Sequence, residues 1–126
     1  MARHEVGVDL VDIDRIAAVL GRHPARFRNR ILTDREDRYC GPKVERVAGR
    51  WAAKEAVSKV LGLGVRGVGW RDIEILPNLA GQPQVLLHGR AAARAARLAL
   101  ADITVSISHE RRMAMAVAVA ERPAER

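Results

Sequence analysis

The sequence predicts an α+β fold, with a mainly antiparallel sheet packed against one long central helix and several shorter helices. Three features favour it: an alternating run near the N-terminus, a helical stretch in the middle, and two later pairs of strand-like runs joined by short connections. Such pairs are typical of hairpins, so strands and helices are expected to be segregated rather than wound into a parallel sheet. A chain of 126 residues has the size of one compact domain, and we expect a single domain over residues 1–126.

The N-terminal run "HEVGVDL" alternates in polarity and predicts the first strand. One face of this strand is apolar and carries Val6, Val8 and Leu10. Asp12 follows at the position of a helix N-cap, and it predicts a short helix that ends near Gly21.

Thr33 and Glu36 have the spacing of a capping box, which predicts a second short helix before the long one over about residues 43–61. Two short strands are predicted from "RDIEILP" and "PQVLLHG", and a helix from "RAAARAARLAL". The runs "ITVSISHE" and "RRMAMAVAVAE" predict a closing hairpin. Residues 121–126 are expected to form a frayed tail.

The charge balance is basic, with 22 lysines and arginines against 15 acidic residues and a net charge of +7. An anionic ligand or an acidic partner is therefore expected. Aromatic residues make up only 3% of the chain, which disfavours the base stacking of single-strand nucleic-acid binders, and no apolar run is long enough to span a membrane. The single cysteine, Cys40, agrees with a reducing compartment, and we expect a cytoplasmic protein that uses neither nucleic acid nor membrane.

A basic connector is expected between the first two helices, because residues 15–30 include five arginines and no carboxylate. Two interpretations are open: a solvated surface, or a surface on which an acidic partner docks.

Glu55 stands out in the long helix. In a helical projection it falls about 20° from Val44, on the stripe of apolar residues, and Lys59 falls about 60° away. The more basic side of the same projection carries Lys43, Arg46, Arg50 and Lys54. One interpretation of Glu55 and Lys59 is an exposed ion pair one turn apart; the other is a carboxylate in a cleft that needs a cation.

Asp9 is similar, because it interrupts the apolar run "VGVDLVDI" in the first strand. Asp9 either lies at an exposed edge of the sheet or serves as a metal ligand. Asp9 and Glu55 together could bind Mg²⁺, which uses one or two protein carboxylates and takes its other ligands from water and phosphate. Lys59 beside that metal would complete a phosphate site.

Gly62, Gly64 and Gly67 spell GxGxxG, but a helix precedes them and a strand-like run follows, so we reject a dinucleotide-binding motif. Gly62 is expected to end the long helix. The bare backbone at Gly62 and Gly64 could in addition approach a ligand closely.

Three segments, "GVDLVDIDRI", "GRWAAKEAVSKVLGLG" and "DITVSISHE", resemble in order and spacing the holo-acyl-carrier-protein synthases, the short, trimeric branch of the phosphopantetheinyl transferases. The resemblance covers nearly the whole chain and implies the phosphopantetheinyl transferase fold. It also implies transfer of the 4′-phosphopantetheine arm of coenzyme A, the co-substrate, to a serine of an acyl carrier protein in fatty acid biosynthesis. Adenosine 3′,5′-bisphosphate is the implied second product.

The resemblance implies catalytic roles for Asp9, Glu55 and Lys59. Asp9 and Glu55 would be the Mg²⁺ ligands, and Lys59 would bind the pyrophosphate of coenzyme A. The base that takes the serine proton is open between Glu55 and a metal-bound water molecule oriented by Asp9.

Other contacts with coenzyme A follow from the same resemblance. Its phosphates are expected at Arg50, Lys54 and His109, and its adenine end near Gly81 and Pro83. The family further implies a homotrimer with active sites between subunits. The basic connector then has a partner, since acyl carrier proteins are acidic; the expected docking residues are Arg15, Arg22, Arg26 and Arg28.

Glu5 and Thr104 depart from the family pattern, in which glycine and histidine are frequent at those places. Two alternatives stay open: a transferase that serves a polyketide or peptide carrier, and a basic RNA-binding module without chemistry. The second leaves Asp9 and Glu55 without a role, since carboxylates repel RNA.

Overall fold

The computed structural model describes residues 2–63 and 69–124. In chain order the elements are β1 Ala2–Asp12, α1 Ile13–Arg22, α2 Pro24–Ile31, α3 Asp34–Cys40, α4 Val44–Val60, a 3₁₀ turn Trp70–Asp72, β2 Ile73–Pro77, β3 Pro83–Leu87, α5 Gly89–Arg97, β4 Ala101–His109 and β5 Met113–Pro123. Strands β1, β5 and β4 form one antiparallel sheet in that order, and β2 and β3 form a separate hairpin. The α+β class predicted from the sequence is confirmed.

Helix α4 lies at the centre of the molecule. One side packs on the three-stranded sheet, and another packs on β2. Small side chains allow the close approach: β5 presents Ala114, Ala116, Ala118 and Ala120, all buried, to the core. As a result α4 is buried around most of its circumference rather than along one stripe.

Strand β1 approaches α4 closely at Gly7. A Cβ atom added to Gly7 would lie 2.1 Å from the carbonyl oxygen of Ala56, so only glycine fits there. Asp9 is two residues after Gly7 and therefore shares its face of the strand. The fold thus directs Asp9 toward the part of α4 that carries Glu55.

The predicted start signals of the short helices are confirmed. Asp12 caps α1, where its carboxylate accepts a hydrogen bond from the Arg15 N–H at 3.1 Å. Thr33 and Glu36 form the reciprocal capping box that opens α3.

Two expectations about irregular segments are wrong. The basic connector contains a further helix, α2, which begins with Pro24 in the first turn, where the missing N–H is no loss. The predicted start of the frayed tail is too early, because residues 121–123 are the end of β5 and pair with the start of β1. Within the described residues, no helix is long and apolar enough to cross a membrane.

Candidate active site

Asp9, Glu55 and Lys59 come together where β1 crosses α4. The Lys59 ammonium lies 3.2 Å from Oδ1 of Asp9 and donates a hydrogen bond of 2.8 Å to the carbonyl oxygen of Val8. Glu55 precedes Lys59 by one helical turn on α4. The cluster combines two carboxylates from different elements with one ammonium.

The electrostatics of this cluster link Glu55 to both of its neighbours. Partial burial and then the nearby charge of Asp9 raise the pKa of Glu55 to about 7, while Lys59 opposes the shift. The two carboxylates therefore repel each other more than one ammonium offsets. Such a pair attracts a further cation.

This donor set suits Mg²⁺. Carboxylate oxygens are hard ligands, and Mg²⁺ in phosphoryl-transfer sites keeps several waters and is bound through one or two carboxylates plus substrate phosphate. Among the described residues there is no group of three or more metal-ligating side chains. A magnesium ion at Asp9 and Glu55 would accordingly leave most of its coordination sphere to water and substrate.

A second feature is a cavity of about 340 Å³ beside the first half of α4. Arg50, Gly81, Pro83 and His109, four residues predicted to contact coenzyme A, line it together. They come from α4, the β2–β3 connection, the first residue of β3 and the end of β4, so the fold brings distant segments to one place.

Arg50 is held rigidly in this cavity. Only 6% of the residue is exposed, and its Nε donates to the carbonyl oxygen of Ile75 at 3.3 Å. Its guanidinium lies 4.3 Å from the ring centroid of Tyr39. Because a guanidinium has five N–H donors, most of them are left for a ligand.

A family model described as the 4′-phosphopantetheinyl transferase superfamily matches residues 5–118. The chain belongs to this superfamily. It is 47% identical over 117 residues to a holo-[acyl-carrier-protein] synthase of Gloeobacter violaceus, covering 90% of this chain and 89% of the relative. Its identity to the holo-[acyl-carrier-protein] synthase of Solidesulfovibrio magneticus is 48% over 118 residues, or 92% and 96% of the two chains.

Solved structures agree with the family assignment. The holo-[acyl-carrier-protein] synthase of Helicobacter pylori, in complex with coenzyme A, superposes with a TM-score of 0.83 at 31% identity. The match covers 91% of this chain and 98% of that one. The phosphopantetheinyl transferase fold implied by the sequence is thereby confirmed.

Lys54 requires a correction. Its side chain is fully buried, and its ammonium donates to Oε1 of Glu36 at 2.7 Å, to the Trp70 carbonyl oxygen at 2.9 Å and to the Ile73 carbonyl oxygen. All three donors are used inside the protein, so Lys54 cannot hold a phosphate of coenzyme A. The helical projection groups Lys54 with Lys43, Arg46 and Arg50 on the side away from the apolar stripe, but at Lys54 this side of α4 packs against β2 and the turn before it.

Gly62 ends α4, as predicted. Its φ is +68°, its N–H donates to the carbonyl oxygen of Lys59, and the Leu63 N–H donates to that of Ser58, which is the Schellman pattern. Gly62 does not line the cavity, which lies at the other end of the helix. Gly64, the other predicted backbone contact, lies outside the described residues.

The four expected docking arginines divide into two groups. Arg15, Arg22 and Arg26 are exposed on α1 and α2. Arg28 instead binds the end of α3, with Nε 2.5 Å from Oδ1 of Asp37 and Nη2 donating to the Gly41 carbonyl oxygen at 2.9 Å. The expectation for Arg28 is corrected, because its guanidinium joins α2 to α3.

Among the cavity residues that were not predicted as site residues are Tyr39, Lys43 and Arg46. A signal for two of them was present, since the helical projection placed Lys43 and Arg46 on the same side as Arg50. The exposed or buried state of that side could not be decided from the spacing. Tyr39 carried no signal, because its position depends on how α3 packs against α4.

Proposed function

We propose that the protein is a holo-acyl-carrier-protein synthase. It transfers 4′-phosphopantetheine from coenzyme A to a serine hydroxyl of an apo-acyl carrier protein and releases adenosine 3′,5′-bisphosphate. The observation that carries the proposal is the cluster of Asp9, Glu55 and Lys59, which offers a cation site beside an ammonium. Membership in the phosphopantetheinyl transferase superfamily supports it, as does a solved relative in complex with coenzyme A.

In this reaction the serine oxygen bonds to the β-phosphorus of the coenzyme A pyrophosphate. The bond from that phosphorus to the bridging oxygen breaks, and the electron pair leaves with the bisphosphate. Mg²⁺ bound by Asp9 and Glu55 would supply Lewis-acid stabilisation of the charge that develops on the phosphate oxygens. Lys59 offers a point charge to the same pyrophosphate.

The serine proton needs an acceptor. One candidate is Glu55, whose pKa is raised to about 7 when no cation is bound, although Mg²⁺ on this carboxylate would lower the pKa again; the other candidate is a water molecule oriented by Asp9. Asp9 contributes to that raised pKa through its own charge. Coenzyme A would extend from this cluster to the basic cavity at Arg50 and His109, with Gly81 and Pro83 near its adenine end.

The acidic carrier would dock on the exposed arginines of α1 and α2, Arg15, Arg22 and Arg26. Complementary charge of this kind speeds association and fixes orientation. The buried free thiol of Cys40 is compatible with a reducing compartment, and we place the activity in the cytoplasm.

A homotrimer with active sites between subunits belongs to the same proposal. The outer face of the three-stranded sheet is apolar, with Val6, Val8, Leu10 and Met115 all exposed in the single chain. A contiguous apolar face of this kind is typical of a protein interface. The cavity also borders this face through His109, which lines a second cavity together with Leu10 and Met115.

The test is to incubate the protein with apo-acyl carrier protein, coenzyme A and Mg²⁺ and to weigh the carrier by mass spectrometry. We expect the mass of one phosphopantetheine to be added, and activity to fall by about 100-fold or more in Asp9→Asn and Glu55→Gln. Asp34→Asn, which removes an exposed carboxylate on α3, is the matched control and should stay active. An unmodified carrier, together with RNA binding that survives Glu55→Gln, would point instead to a basic RNA-binding module.

A further inference from the structure

Helix α5 carries three arginines on one side, Arg90, Arg94 and Arg97, which we call the α5 arginine row. They are spaced four and three residues apart and therefore share one face of the helix. Together with Leu63 and Ala93 they line a cavity of about 280 Å³. Arg90 and Arg97 are exposed, whereas Arg94 is half-buried.

The charge of this row is not compensated within the part of the chain that the structure describes. Helix α5 contains no carboxylate, and no described carboxylate lines the cavity. None of the three guanidiniums makes an ion pair with a described residue. Like charges at this spacing repel each other, and Arg90 lies in the first turn, where the helix dipole disfavours a cation. The row therefore lowers the stability of α5, and an anionic partner would offset that cost.

Arg94 connects the row to the end of α4. Its Nε donates a hydrogen bond of 2.9 Å to the carbonyl oxygen of Leu61. Leu61 follows Lys59 by two residues, and the Gly62 N–H donates to the carbonyl oxygen of Lys59 at 3.1 Å. The α5 arginine row thus borders the end of α4 that carries Glu55 and Lys59.

A single turn of chain connects the row to the basic surface of α2. Helices α2 and α5 both pack against the 3₁₀ turn Trp70–Asp72. Helix α2 carries Arg26, one of the exposed arginines on which the acidic carrier is proposed to dock. Two arginine-rich helices therefore share one neighbouring element.

We propose that the α5 arginine row is a second docking surface for the acidic carrier protein. This inference rests on the proposed function, which supplies the carrier as the partner. The row extends about 10 Å along α5, which is longer than one phosphate group but suits several carboxylates on a protein surface. Because the carrier serine must come to Lys59, a basic surface beside the end of α4 is well placed to orient the carrier.

RNA is a poorer match for the same surface. Among the described residues that line the cavity there is no aromatic side chain on which a base could stack. The carboxylates of Asp9 and Glu55, close to the end of α4, would in addition repel the phosphates of RNA.

The experiment measures the dissociation constant of the apo-carrier by calorimetry on the full chain without coenzyme A, at low and at high salt. The double variant Arg90→Gln/Arg97→Gln removes two exposed charges and keeps the bond of Arg94 to α4. We expect this variant to weaken carrier binding by about three- to tenfold at low salt and by less than about twofold at high salt. Arg38→Gln, which removes an exposed arginine of α3, is the control and should leave carrier binding unchanged.

Unchanged carrier binding in the double variant at low salt would overturn the second docking surface. Coenzyme A binding, measured without carrier, should stay within about twofold of the wild type. Equal weakening of coenzyme A and carrier would overturn the proposal as well, since the row would then serve coenzyme A. If the variant loses affinity for a single-stranded RNA but not for the carrier, the row serves RNA instead.

The carrier assay separates this inference from the proposed function. If the wild type binds the carrier through the row but transfers nothing, the transferase alone is refuted. If the wild type transfers fully and the double variant binds the carrier as tightly as the wild type, the second docking surface alone is refuted. Thermal unfolding shows that the double variant is folded, because both substituted side chains are exposed and should not change the melting temperature by more than about 2 °C.

Discussion

The ammonium of Lys59 lies 3.2 Å from Oδ1 of Asp9, although the two residues are 50 positions apart in the sequence. Their contact depends on how closely β1 lies on α4. Gly7 sets that spacing, since any side chain there would meet the carbonyl oxygen of Ala56. The geometry of the proposed active site is therefore determined by a glycine that takes no part in the chemistry.

We expect Gly7→Ala to destabilise the protein by about 3 kcal/mol or more, because an added Cβ would lie 2.1 Å from a backbone oxygen and the strand or the helix must move. The displacement should separate Asp9 from Lys59 and lower activity in the fraction that still folds. Urea denaturation measures the free energy of unfolding, and the carrier assay measures activity.

Gly21 provides the control for that substitution. It lies in the last turn of α1, and an added Cβ would meet no atom within 4 Å. Gly21→Ala should therefore raise stability by roughly 0.5–1 kcal/mol, the ordinary gain in a helix. A Gly7→Ala variant as stable as the wild type would show that β1 can move away from α4 freely.

The buried pair of Lys54 and Glu36 gives a second prediction. Lys54→Met should lower the free energy of unfolding by about 3–5 kcal/mol, because the carboxylate of Glu36 would stay buried without its cation. The double variant Lys54→Met/Glu36→Gln should recover part of the loss, because the neutral amide removes the unpaired buried charge; the recovery is incomplete, since the single amide oxygen can accept only one of the two hydrogen bonds that the N–H groups of Thr33 and Ile75 donate to the carboxylate, at 2.9 Å and 2.8 Å. Denaturation that is unchanged in Lys54→Met would mean that the pair contributes little.

The hydrogen bonds of Glu74 predict that the folded protein loses stability in acid. Burial alone would raise its pKa, but hydrogen bonds from Arg35, Thr33 and His88 outweigh it and lower the pKa from 4.5 to about 2. Because the folded state favours the ionised carboxylate of Glu74, this carboxylate stabilises the fold. Its stabilisation is complete above pH 4.5 and is lost as the pH falls toward 2. We expect about 3 kcal/mol of stability to disappear over that window.

The measurement is the free energy of unfolding as a function of pH. In Glu74→Gln the slope over this window should be shallower than in the wild type, whereas Asp34→Asn, at an exposed carboxylate, should keep it. An identical slope in Glu74→Gln would assign the acid sensitivity to other carboxylates.

The sequence was most informative where a residue contradicts its local pattern. Asp9 in an apolar strand and Glu55 on an apolar stripe were noticed for that reason, and the structure places them together. The same projection misplaced Lys54, because it assumes that a helix buries one stripe, whereas α4 is buried around most of its circumference. The ring contacts of Tyr39 could not be predicted either, since they depend on packing between two helices that no local pattern records.

The exposed arginines of α2 give the last prediction, and Arg28 provides its internal control. Arg26 is exposed, so Arg26→Gln should raise KM for the carrier by about three- to tenfold at low salt, leave kcat nearly unchanged, and lose most of its effect at high salt. Arg28 holds Asp37 and Gly41 at the end of α3, so Arg28→Gln should lower the melting temperature, which Arg26→Gln should not. Initial rates at varied carrier and salt concentration, with thermal unfolding of both variants, make the comparison. If Arg26→Gln lowers kcat at every salt concentration, Arg26 acts on the chemical step and not on docking.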